Sequence, residues 1–113
     1  MARSSTPRQL LGSAQVFAAL GDETRLRLVS RLSAHGPLSI VKLTTGSDVS
    51  RQAVTKHLHV LAEVGLVRGS REGRENVWEL TPRRLEEARR YLDLIAEQWD
   101  DALQRLKLFV EGE

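Results

Sequence analysis

Residues 50–80 read SRQAVTKHLHVLAEVGLVRGSREGRENVWEL, and the apolar period changes half-way along them. Up to residue 64 the apolar residues recur at helical spacing. On a wheel at about 100° per residue, Val54, Leu58 and Leu61 fall within about 60° of arc, a stripe fit for burial. Gln52, Thr55, Lys56, His59 and Glu63 fall opposite, and Arg51 sits to one side in the first turn. Ser50 is a good N-cap and Gly65 a good stop. Beyond Gly65 the pattern alternates: Asn76, Trp78 and Leu80 against Val77 and Glu79, around a Glu-Gly-Arg turn at 72–74. That is the signature of a hairpin of two short strands.

Working outward, the preceding residues supply more helices. Leu10, Leu11, Ala14, Phe17 and Leu20 have helical spacing over 8–20. Asp22 then offers an N-cap and Glu23 an acid for the positive helix start. Leu26, Val29 and Leu32 form the expected inward stripe, and Gly36 and Pro37 end that helix. A short helix is expected over 39–45 with Ile40 and Leu43 inward, followed by the tight turn TGSDVS. After the hairpin, Thr81 as N-cap and Pro82 at the first helical position begin a helix that nothing interrupts until about Val110. The expected fold is therefore mostly α with a small β-hairpin: a short helix and a longer one across a tight turn, then a wing. Residues 1–7 are expected to be a disordered tail, 8–80 the winged helix-turn-helix with its N-terminal helix, and 81–113 a dimerisation helix.

Two segments carry a family resemblance: FAALGDETRLRLVSRL at 17–32 and VSRQAVTKHLHVLAEVGLVRGSREGRENVWEL at 49–80. With their Ala-Leu-x-Asp-x-Thr-Arg-Leu opening, their Ser-x-x-x-x-x-x-His-Leu-x-x-Leu helix and their Gly-Leu-Val entry to the wing, they resemble the ArsR-type winged helix-turn-helix repressors. The resemblance covers roughly residues 14–80. It implies a DNA-binding transcriptional repressor, and it implies that Arg71 and Arg74, near the wing tip, follow the phosphate backbone or enter the minor groove.

The residue types on the 50–64 helix suit that task. In a helix-turn-helix the second helix enters the major groove with its N-terminal residues toward the base edges. Gln52 can pair with adenine through two hydrogen bonds, and Lys56 can donate to guanine. Thr55 can offer its methyl to thymine or its hydroxyl to phosphate. Arg51 and His59 suit phosphates, and Ser50 leaves a helix N-terminus that can hold one. The competing reading is a merely solvated face. His57 lies beside the buried stripe and is expected to be a packed or hydrogen-bonded structural histidine. Arg68, Arg71 and Arg74 are expected around the hairpin tip, but Glu72 and Glu75 dilute them, so an ordinary charged turn competes there as well.

The final helix carries Leu85, Ala88, Leu92, Ile95, Trp99, Ala102, Leu106 and Phe109 in alternating steps of three and four, a heptad seam. One small domain cannot cover a helix about 40 Å long at about 1.5 Å per residue. Pairing with a second copy through Leu92, Ile95, Trp99 and Leu106, aided by Leu10, Leu11, Val16 and Phe17 of the first helix, removes an apolar patch that monomers avoid. A two-fold pair would meet an inverted-repeat operator on duplex DNA.

Charge agrees with this division. Residues 1–90 hold 15 Lys and Arg against 9 Asp and Glu, while 91–113 hold 2 against 6. The basic body, not the acidic end, is matched to an anionic partner. The 113 residues contain no cysteine, so thiolate metal sites and disulfides are excluded. The three histidines, His35, His57 and His59, all lie outside the last helix, where the family's other common metal site would need one. Asp93, Glu97, Asp100 and Asp101 fall on its outer side, as solvated charges. No metal and no cofactor are expected, and the sequence names no inducer. No apolar run is long enough for a membrane span or a signal peptide, so a cytoplasmic location is expected. Two rival readings remain at this point: a winged helix serving protein–protein contact, and a repressor gated by a small organic ligand near Trp99 or Tyr91. An enzyme is disfavoured, because no nucleophile elbow, phosphate loop or metal triad is present.

Overall fold

The computed structural model describes residues 8–112, with side chains from residue 11 onward. The expected disordered tail, 1–7, and the side chain of Leu10 lie outside the described part. Eight elements follow one another: α1 (Arg8–Leu20), α2 (Glu23–His35), β1 (Leu38–Ser39), α3 (Ile40–Thr44), α4 (Arg51–Glu63), β2 (Val67–Glu72), β3 (Glu75–Leu80) and α5 (Pro82–Glu111).

The caps are where local chemistry places them. Asp22 accepts from the Arg25 amide at 3.0 Å and starts α2. Gly36, at φ 78, ends that helix in a conformation that other residues rarely adopt. Ser39 accepts from the Lys42 amide and Ser50 from the Ala53 amide, both at 3.2 Å, so each serine opens its helix. Thr81 behaves otherwise. It makes no side-chain cap for α5; its hydroxyl donates to the Gly65 carbonyl and its amide to Leu66 O at 2.9 Å. The start of α5 is thereby tied to the turn that ends α4.

The expected two-stranded hairpin is part of a three-stranded antiparallel sheet, in the order β1-β3-β2. Leu38 pairs with Trp78 and Ser39 with Val77, so the residues just before α3 form an extra edge strand. Two residues are too few to show a period, which is why the sequence pattern did not reveal β1. In the hairpin Glu72 pairs with Glu75 across a two-residue loop. Gly73, at φ 64, takes its left-handed position. Gly69 faces Trp78 across the ladder, and a Cβ there would lie 3.1 Å from the indole ring. The wing thus depends on glycine where the tryptophan crosses it.

One core joins these elements. Val54, Leu58 and Leu61 of α4 are 1%, 0% and 0% exposed, against Leu43 of α3, Val16 and Ala19 of α1, and Leu66 and Trp78 of the wing. Two expectations are corrected. On α2 the inward residues are Leu28, Val29 and Leu32, whereas Leu26 is 50% exposed. The positions of Leu26 and Leu28 are some 200° apart on the helix, and the elements packed beside α2, not its own period, decide which turns inward. Val16 belongs to the core of its own subunit and is not available to a partner.

Along α5 only Ala88 is buried. Leu85, Tyr91 and Ile95 are half-buried, and α1 packs on α5 with the Phe17 and Tyr91 ring centroids 6.5 Å apart. From residue 96 to 112 every residue is exposed, Trp99, Leu106 and Phe109 among them. Among the described residues of one subunit, nothing covers the distal seam.

Candidate nucleic-acid interface

Burial of the Val54, Leu58 and Leu61 stripe fixes the roll of α4 and turns its opposite side outward. Gln52, Lys56, His59 and Glu63 are exposed, Arg51 is exposed beside them, and Thr55 is half-buried. Ser50, Gln52, Thr55, Lys56 and His59 line one continuous surface depression at the N-terminal end of the helix. Gln52, Lys56 and His59 thus turn outward as the helical period requires, Thr55 less fully, and with the Ser50 cap they put short and long polar side chains side by side over the first turns.

A groove of about 640 Å³ separates α4 from the wing. Arg51, Thr55 and His59 line it from the helix, and Arg74, Glu75, Asn76 and Trp78 line it from the wing. His59 does more than its sequence position suggested. Its ring meets the indole of Trp78 edge-on, with centroids 5.7 Å apart and planes at 85°. It therefore helps to set the spacing between helix and wing as well as presenting a polar edge to the groove. Trp78 was legible in sequence only as one member of an alternating strand; the Gly69 opposite it is the signal that the strand carries a large ring across the sheet.

Arg74 lies in the hairpin loop and Arg71 one ladder pair from its end, both exposed. Arg68, expected near the tip, instead stands at the base of the wing opposite Glu79, and donates from Nε to Glu79 Oε1 at 2.7 Å, so its charge is already matched. Among the described residues Arg71 and Arg74 pair with no carboxylate, so the wing cations open to a backbone are those nearest the tip.

Behind the face, His57 has the structural setting expected of it. Its Nδ1 lies 3.2 Å from Arg25 Nη1 and 3.9 Å from Asp22 Oδ2, while Arg25 Nε donates to Ala19 O at 2.6 Å. This cluster joins the end of α1, the start of α2 and the middle of α4. The hydrogen bond from the Arg25 amide, with the charge of Arg25 and the Thr24 amide, holds the Asp22 carboxyl below its usual range, against a desolvation that acts the other way. A folded pKa below the unfolded one makes the stabilisation complete above the unfolded value and lost as pH falls through the folded value. Asp22→Asn should therefore melt below the wild type at neutral pH. The gap should close as pH falls under the ordinary aspartate value of about 4. Thermal melts of both proteins between neutral and acid pH measure it, and a gap that does not change with pH rules the carboxylate out as the cause.

Among the described residues no three His, Cys, Asp or Glu side chains gather in a way that could hold a metal ion. No described helix is long and apolar enough to cross a membrane.

A family model described as a helix-turn-helix domain matches residues 20–70. The chain is 37% identical over 99 residues to the HTH-type transcriptional regulator Rv2034 of Mycobacterium tuberculosis, covering 88% of this chain and 89% of that one. It superposes on the structure of an ArsR-like transcriptional regulator from Rhodococcus sp. RHA1 with a TM-score of 0.75 and 37% identity, over 88% and 93% of the two chains. It also shares its fold with a Mycobacterium bovis domain described as a homodimeric winged helix-turn-helix DNA-binding domain, with a TM-score of 0.61 and 23% identity over 92% and 95% of the two chains.

Proposed function

The chain belongs to the ArsR family of winged helix-turn-helix transcriptional regulators, and from that premise we propose that it is a homodimeric repressor reading an inverted-repeat operator with α4 and the wing. Residues 8–80 form the DNA-binding part and 81–113 the dimerisation helix. The protein works in the cytoplasm on duplex DNA, with no cofactor. Occupying the operator excludes the transcription machinery, and no catalytic step is needed.

The observation that carries the reading is the juxtaposition at the groove. Gln52, Thr55 and Lys56 project from the N-terminal half of α4, and Arg51, His59 and Arg74 stand beside them on the helix and the facing wing. The division of labour follows from chemistry. Gln52 and Lys56 supply direct readout, since amide and ammonium donors match adenine and guanine edges in the major groove. Arg51, His59, Arg71 and Arg74 supply backbone contacts, which position the protein without choosing a sequence. Ser50 caps α4 with its side-chain oxygen and leaves the remaining first-turn amides facing outward for a phosphate. The second subunit is motivated by the uncovered apolar side of α5, including Trp99 and Leu106, together with Leu11 of α1, which is 55% exposed. The homodimeric state described for the Mycobacterium bovis domain points the same way.

A salt titration against DNA from the promoter of this protein's own gene tests the reading. Affinity should fall steeply with salt, because each neutralised phosphate contributes about 0.9 to the slope of log K against log salt. Arg74→Ala should lower that slope by about two for the dimer, one contact per subunit, and weaken all sequences alike. Affinity indifferent to salt would instead favour a winged helix used for protein contact, and the DNA reading would be abandoned.

A further inference from the structure

Helix α3 has five residues, too few for a stable helix by itself. Its last carbonyls also lack intrahelical partners, as at every helix C-terminus. Yet all four of the carbonyls from residue 40 to 43 are satisfied. The Thr44 hydroxyl donates to Ile40 O, and Val41 O accepts from the Thr45 amide at 3.1 Å and from the Thr45 hydroxyl at 2.8 Å. The remaining two are taken by one side chain from another helix. Arg31 of α2 donates from Nη1 to Leu43 O at 2.8 Å and from Nη2 to Lys42 O at 2.9 Å.

The position of this fork gives it its interest. Directly after Leu43 comes the turn that aims α4: Ser47 N donates to Thr44 O at 3.0 Å, Val49 N to Ser47 Oγ at 3.0 Å, and Ser50 then caps α4. Gly46 in that turn has φ 76. Among the described residues Arg31 pairs with no carboxylate, so its charge rests on the negative end of α3. Two parallel N–H donors on one rigid plane fix a direction as well as a distance, which an ammonium cannot do.

We propose that Arg31 is a positioning residue for operator recognition: its guanidinium clamps the end of α3 to α2 and thereby sets the path of the 44–50 turn and the aim of α4. The proposal rests on the reading of α4 as the base-reading helix. Non-specific binding relies on phosphate contacts that tolerate small shifts of the helix, whereas paired base contacts do not. Loosening the clamp should thus erode specificity before it erodes general affinity.

The test compares wild type with Arg31→Lys and Arg31→Gln in the full chain. Three quantities are read: the ratio of promoter to unrelated DNA affinity, the salt slope, and amide hydrogen exchange over 44–50. Both variants should lose about tenfold or more in the affinity ratio, the scale of one charge-assisted hydrogen bond. The salt slope should stay at its wild-type value, and the Ser47 and Val49 amides should exchange faster. A slope lower by about one per subunit with the ratio intact would make Arg31 a phosphate contact and overturn the proposal. So would a lower melting temperature with the ratio and the exchange unchanged, which is a merely structural role. Wild type without preference for its promoter would remove the base-reading premise and the role with it. Exchange over 44–50 would still report, separately, whether the clamp holds the turn.

Discussion

Replacing Ile95 and Trp99 together by Asp should yield monomers that have lost about 10²- to 10⁴-fold in operator affinity, the range by which linking two binding units exceeds either alone. The expectation begins with exposure. Leu92 is 52% exposed, Trp99 64%, Leu106 58% and Phe109 73%, all on the seam of a helix whose distal part is exposed throughout among the described residues. Fully burying side chains of this size stabilises by about 1.5–3 kcal/mol each. A second copy of the seam supplies that burial for both partners at once. Two carboxylates per chain at its centre reverse the sign, because a charge buried without a partner is strongly unfavourable. Ile95 is half-buried in its own subunit, so the double variant alone could confuse dissociation with loss of folding. Trp99→Asp by itself removes that ambiguity, since its site in the subunit is open to water. Sedimentation equilibrium gives the mass, circular dichroism the fold, and fluorescence anisotropy with promoter DNA the affinity. A double variant that is still dimeric would show that the subunits meet elsewhere.

How far the sequence foretold this structure depended on how local each cause was. Asp22, Ser39 and Ser50 act on amides three residues away, and Gly36 ends α2 through its own φ, so helix boundaries could be read directly. The buried stripe of α4 was equally legible, because Val54, Leu58 and Leu61 repeat with the helix itself. Features that depend on another element were not. Leu26 and Leu28 compete for the inward side of α2, and only packing decides between them. The hydroxyl of Thr81 has a better partner in Gly65 O, sixteen residues back, than in its own helix. β1 exists only because Trp78 and Val77 are there to pair with it. The candidate site divides in the same way. The outward side of α4 and the basic wing tip could be read from periodicity and turn chemistry. The His59–Trp78 contact and the Arg31 fork join residues 19 and 11–12 positions apart, and no sequence period reports them.

The second large effect should come from Gln52→Ala with Lys56→Ala, at about 2–6 kcal/mol of operator binding if two paired base contacts of about 1–3 kcal/mol each are lost. The two residues are one helical turn apart on the exposed face, close enough for neighbouring bases and close enough to couple, so the single variants are needed to separate them. Neither residue is buried, so the variants should fold and melt like the wild type. Thr55 is a poorer probe: it is half-buried, and its loss would mix packing with contact. The informative measurement is competition by promoter duplexes changed one base pair at a time. Each single variant should become indifferent to the base pair that its residue reads, symmetrically in both half-sites, while still discriminating at the others. Lys56→Ala should also soften the salt dependence if its ammonium reaches a phosphate, whereas Gln52→Ala, carrying no charge, should leave it alone. Full affinity and full discrimination in both variants would mean that another surface reads the DNA. The outward side of α4 would then be no more than a solvated face, for a helix whose N-terminal half offers little except those polar groups.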